Sequence, residues 1–266
     1  MEDVNKYENY SIYIKTVSAG IIRALVESLK GLLMDVNIYF DSQGLKIMSM
    51  DGKRIAMVHL SLEAVEFEEF YCHSNIQVGL NMESLFKLLK TADNSSILIL
   101  YIKKTNISSL GVRIENKEKN IVSDSLLKLL DLNDPLISIP EIDFEFIITI
   151  PCVEFNRYCS DLKNFSDIVE ISTWGNVLKM HVEADFGEKT ISIAETQQGT
   201  VCCKSMLKNG GSIKSKFSLV YLTLFSKSGS LCSNIEIYMK SGYPIFLSYS
   251  VANLGRLRLG LAPLLE

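Results

Sequence analysis

Alternation of apolar and polar residues at every second position is the strongest constraint in this chain, and it recurs from one end to the other. It runs through 36–41, 45–50, 54–62, 97–103, 144–150, 234–240 and 245–249. A strand points successive side chains to opposite faces, so this period predicts half-buried β-strands. Only four stretches, 20–32, 81–92, 153–163 and 218–228, carry the three-to-four-residue spacing of a helix. Many strands with four short helices predict an α+β fold.

The order of these elements repeats. Leu29 and Lys30 followed by the strand 37–40 line up with Leu162 and Lys163 followed by 170–173, at an offset of 133. Leu85, Lys90 and Ser96 match Leu222, Lys227 and Ser233 at an offset of 137. A repeat of this length predicts two similar domains of about 130 residues each. Between them, Pro135, Pro140 and the Asn133-Asp134-Pro135 turn signal mark a connector. Leu132, Leu136, Ile137 and Ile139 make it too apolar for a solvated linker, so it is expected to lie along a surface or to offer one to a partner. The expected division is 1–128, a connecting loop over 129–143, and 144–266.

Composition excludes several function classes. With 47% apolar and 22% charged residues the chain is expected to fold throughout. No apolar run approaches the ~18 residues of a membrane span, and the first twenty residues lack a basic start followed by an apolar stretch. The expectation is a soluble intracellular protein. Six cysteines form no CxxC pair and only three histidines could complement them, so no metal site is expected and the thiols read as reduced. Neither a Gly-rich phosphate loop before a helix nor a GxSxG motif occurs, which argues against an enzyme, and no cofactor is expected. A net charge of −4 argues against coating nucleic acid with the whole surface, so any DNA contact must use a local patch.

Short pieces along the chain add a more specific signal. They are Ser49-Met50-Asp51, Phe67 through Cys72, Asn81 with Lys87 and Lys90, Asp131-Leu132, and Ile139-Pro140-Glu141. Further on come Glu154-Phe155, Arg157, Cys159, Asp161-Leu162, Tyr221-Leu222, Pro244, Ala252 with Gly255, and Leu261-Ala262-Pro263. In this order and at these spacings the chain, from Ile12 to Glu266, resembles the proliferating cell nuclear antigen family of eukaryotic and viral DNA clamps.

The resemblance implies a DNA-clamp fold with two similar domains, antiparallel sheets outside and two helices per domain inside. Three copies would close into a ring around duplex DNA, a processivity factor for a DNA polymerase. By the same correspondence the strands over 121–128 and 186–195 are the edges that join subunits. The implied DNA-facing residues are Arg23, Lys30, Lys87, Lys90, Arg157, Lys163 and Lys227. The helical stretches carry these seven cations against four acids, a net of +3, while the rest of the chain is negative.

A pocket for a short glutamine-bearing peptide of polymerases, ligases or nucleases is implied at Met50, Arg54, Ile55, Ile137, Ile139, Pro140, Tyr243, Pro244, Leu261, Ala262, Pro263 and Leu265. A clamp loader is a further implied partner, and the nucleus, or the replication compartment of a large DNA virus, is the implied location. Ala24, Ser160 and Val220 stand where relatives often carry basic channel residues, and Gly175 where many carry a modifiable lysine. A heteromeric checkpoint-type clamp and a clamp-like viral transcription factor share the fold and are the alternatives.

Overall fold

The computed structural model describes residues 6–133, 142–197, 199–206 and 211–264. They form two compact units, one drawn from the described residues of 6–49, 59–133 and 251–256, the other from those of 50–58, 142–250 and 257–264.

Along the first half of the chain, most of it in the first unit, the order is β1 (Tyr10–Thr16), α1 (Ala19–Leu29), β2 (Asp35–Asp41), β3 (Gly44–Met50), β4 (Ala56–Glu63), β5 (Glu69–Cys72), β6 (Ile76–Asn81), α2 (Met82–Leu89), β7 (Ser96–Lys103), β8 (Asn106–Asn116) and β9 (Ile121–Lys128). One antiparallel sheet has the order β5-β1-β7-β8-β9, and beside it β4-β3-β2-β6 run side by side. Helix α1 buries Ile22, Leu25, Val26 and Leu29, and α2 buries Met82, Leu85 and Leu89. All of these but Leu89 meet Ile14 and Leu98 of one sheet and Ile38, Leu45 and Leu60 of the other around a common apolar interior. Helix spacing on one side and strand alternation on the other therefore converge on one core.

The second unit repeats the plan with β10 (Phe146–Pro151), α3 (Cys152–Lys163), β11 (Ile168–Trp174), β12 (Val177–Ala184), β13 (Gly187–Ala194), β14 (Cys202–Ser205), β15 (Lys214–Ser218), α4 (Leu219–Ser226), β16 (Asn234–Met239), β17 (Ile245–Val251) and β18 (Gly255–Leu261). Its strands follow the orders β14-β10-β16-β17-β18 and β13-β12-β11-β15. Position for position these are the two orders of the first unit, so the duplication inferred from the sequence extends to strand pairing. Phe155, Cys159 and Leu162 of α3 and Leu219, Leu222 and Phe225 of α4 fill this core.

Several boundaries differ from expectation for identifiable reasons. Helix α1 stops at Leu29, where Lys30 caps it, yet Leu32 and Leu33 stay buried in the following turn and so extended the apolar pattern. Helix α4 gives way at Lys227 to a short 3-10 turn, Lys227–Ser230, that contains Gly229. Strand β4 begins at Ala56 instead of 54, because Arg54 takes a left-handed backbone (φ 57°) in a tight loop. At the start of the chain, Lys6, Tyr7 and Lys15 converge on Glu69 at 2.5, 2.8 and 3.0 Å. Partial burial would raise the Glu69 pKa, but these three donors outweigh it and hold the carboxyl near about 2.

Candidate functional site

Two eight-residue strands end their sheets: β9 closes the five-stranded sheet and β13 the four-stranded one. Strand β9 pairs with β8 along its whole length on one side, and β13 does the same with β12. Each therefore keeps a free row of backbone donors and acceptors on its other side among the described residues. Ile121, Val122 and Leu126 of β9 are 56%, 57% and 61% exposed, which the packing of a lone chain does not require. Next to β13, Phe186 is also exposed, its ring 5.2 Å from that of Phe165. Lys189 of β13 lies 3.5 Å from Asp161 of α3.

The helices carry the seven expected cations in different states. Lys30 pairs with Glu83 across α1 and α2 at 3.1 Å and sits 4.0 Å over the ring of Phe86. Arg157 pairs with Glu154 one turn earlier on α3, and Lys163, the last residue of α3, pairs with Asp167 in the segment that follows. Arg23 is half-buried, and its Nε is enclosed without a hydrogen-bond partner among the described residues. Lys87, Lys90 and Lys227 are exposed and make no ion pair among the described residues. A count of charges from sequence treats all seven alike, whereas three are partly neutralised by neighbours.

Around the second unit's C-terminal segment the structure gathers most of the other described candidates. The Asp51 carboxylate accepts from the backbone N–H groups of Ile55 and Ala56, both at 2.7 Å, and from Lys53 at 3.3 Å. Tyr221 of α4 donates its hydroxyl to the same group. This holds the 51–56 loop so that the Ile55 carbonyl accepts from Ala262 N–H at 3.0 Å. Two residues on, Leu264 N–H donates to the carbonyl of Lys216 on β15 at 2.8 Å. Next to Lys216, Ser215 and Phe217 lie with the buried Ile213, Met239 and Ile245 along a narrow crevice beside the exposed Tyr243, too tight to admit a water molecule. Lys240 Nζ lies 4.7 Å from the Tyr243 ring centre.

Of the expected pocket residues, Met50, Arg54 and Tyr243 are exposed, and Ile55, Pro244, Ala262 and Pro263 are partly so. Leu261 is fully buried and belongs to the core beneath, so it presents no surface of its own. Ile137, Ile139, Pro140 and Leu265 lie outside the described residues. Sequence reasoning passed over Met57. It is half-buried on β4 between the buried Ala56 and Val58, two residues after Ile55. Period-two alternation carried onward from Ile55 would have found it.

The Asp51 arrangement yields a testable expectation. Burial alone would raise its pKa; the bonds from Tyr221, Ala56, Ile55 and Lys53 outweigh burial and lower it. A carboxyl with a depressed folded-state pKa stabilises the chain above its unfolded pKa of about 4, and that contribution fades as pH falls through the lower folded value. Asp51→Ala is expected to cost about 2–3 kcal/mol at neutral pH, because it strands buried backbone donors. Urea titrations should show this gap narrowing in acid; an equal gap at all pH values would contradict the assignment.

Comparison with known proteins agrees with this architecture. The family model described as the N-terminal domain of proliferating cell nuclear antigen matches residues 12–135, and that for its C-terminal domain matches 138–264. A relative named "Probable DNA polymerase sliding clamp 1", from Paramecium bursaria Chlorella virus 1, is 33% identical over 264 residues, covering 97% of this chain and 99% of that protein.

Proposed function

The chain belongs to the proliferating cell nuclear antigen family and is a sliding-clamp protein, not an enzyme; from that premise we propose that three copies close into a ring around duplex DNA. The observation that carries this reading is the pair of free edges, β9 and β13, equal in length at eight residues. Pairing β9 of one copy with β13 of the next is a head-to-tail contact, and a head-to-tail contact repeated under rotation closes a ring. It would satisfy the open backbone groups and cover Ile121, Val122 and Leu126.

In such a ring the helices turn inward, and Lys87, Lys90 and Lys227 supply positive charge free to meet phosphate. Contacts of that kind position a duplex without reading bases, which is the condition for sliding. The surface carrying the exposed or partly exposed Ile55, Tyr243 and Pro263 would form the groove for a short peptide with spaced aliphatic and aromatic residues and a glutamine. Its carriers would be a DNA polymerase, a clamp loader, a ligase or a nuclease, in a nucleus or a viral replication compartment.

Native mass spectrometry of the purified chain tests self-assembly: a three-subunit species at low micromolar concentration is expected. A monomer under all conditions would favour a heteromeric checkpoint-type clamp or a clamp-like viral transcription factor. For the groove, Tyr243→Ala combined with Pro263→Ala is expected to weaken binding of a polymerase-derived peptide at least tenfold, about 1.4 kcal/mol, with assembly unchanged. Calorimetric titration reads this directly, and unchanged affinity would remove the groove from the proposal.

A further inference from the structure

Six thiols are scattered through the chain, and two of them meet in the folded second unit. Cys152 opens α3 and is buried; Cys232 follows the 3-10 turn after α4 and is partly exposed. Eighty residues separate them in sequence, yet their sulfurs lie 3.9 Å apart. The backbone fixes this proximity. Antiparallel pairing of β10 with β16 runs out at Pro151 opposite Asn234, and Cys152 N–H extends it by donating to the Ser233 carbonyl at 2.9 Å. Gly229 fits the same corner, since a Cβ there would stand 3.0 Å from that of Cys152. The turn carrying Cys232 is thereby pressed onto the first residue of α3.

We propose that Cys152 and Cys232 are an oxidative modification site, closing a reversible intramolecular disulfide with a peroxide as oxidant. A disulfide needs the sulfurs at about 2.05 Å, and the backbone bond from Cys152 to Ser233 already holds the two segments side by side. Cys232 is the more accessible partner and the more readily ionised, chiefly because of its sulfur–sulfur hydrogen-bond contact with Cys152. Its thiolate attacks one peroxide oxygen, the O–O bond breaks, and the departing hydroxide takes a proton to leave as water. The resulting sulfenic acid is attacked by the Cys152 sulfur; the S–S bond forms, the S–O bond breaks, and the Cys152 proton leaves with the hydroxyl as a second water. Two electrons pass from the two sulfurs to one peroxide. The bond ties the start of α3 to the segment after α4, and this inference does not depend on ring formation.

The test uses the full-length reduced chain and a small excess of hydrogen peroxide. Thiol titration under denaturing conditions should fall by two of the six. Peptide mapping should find a single Cys152–Cys232 link, reversed by dithiothreitol, and the oxidised chain should melt several degrees higher because its unfolded state is constrained. Cys232→Ser should abolish the link. Cys152→Ala, with the resolving thiol gone, should leave a sulfenic acid on Cys232 that dimedone traps. All six thiols surviving, a link through other cysteines, or Cys232 passing to the sulfinic acid unlinked would each overturn the proposal.

Discussion

Val122→Arg combined with Leu126→Arg is expected to yield a folded monomer whose self-association is weakened at least ~100-fold, about 2.7 kcal/mol or more. Both side chains are more than half exposed in the single chain, so their replacement removes little of its own packing. Leu127, which is buried, and the ladder from β9 to β8 stay as they are. An assembled edge would be different. There each substitution replaces apolar contact with an unpaired cation that must be desolvated. Sedimentation velocity at micromolar concentration, beside thermal melting of the same samples, separates the two effects. Lost assembly with an unchanged melt of the monomeric chain supports β9 as a subunit contact; retained assembly removes it.

The second large effect concerns the free cations. Reversing Lys87, Lys90 and Lys227 to Glu shifts the charge by about six per subunit and so by about eighteen in a three-fold ring, all of it on the surface proposed to face phosphate. Retention on DNA at low salt is expected to fall at least tenfold, with a flatter dependence on salt. Assembly and melting should not change, because these three lysines make no ion pair among the described residues. By contrast, Lys163→Glu should act mainly on α3 itself, since Lys163 is already engaged by Asp167. DNA retention untouched by the triple reversal would place the duplex elsewhere.

What the sequence disclosed follows from how local each cause is. Period-two alternation marked β2, β3 and β16 because mainly one face of each is buried, whereas β7 and β17, expected half-buried, are covered on both faces and read as nearly continuous apolar runs. The edge strand β13 has seven of its eight residues at least partly exposed, so it carries little such pattern and was reached only through family resemblance. The Arg157–Glu154 and Lys163–Asp167 pairs sit at helical spacing and could have been read from the sequence. Lys30 with Glu83 could not, being 53 residues apart. The alternation predicts strand from 54, whereas Asp51, as one carboxylate, captures three backbone amides and holds 54 and 55 in a loop, which no period announces. Likewise, the bond between Ala262 and Ile55 that shapes the candidate groove joins residues from opposite ends of the sequence.

The claim that the chain encircles DNA is tested most directly by topology. Wild-type chain, placed on nicked circular duplex by a clamp loader and washed at high salt, should remain bound and then leave when a restriction enzyme linearises the circle. A ring held by topology can escape only over an end, whereas one held by charge responds to salt and ignores the cut. Equal retention on circular and linear DNA, or complete loss in the salt wash before cutting, would contradict encirclement.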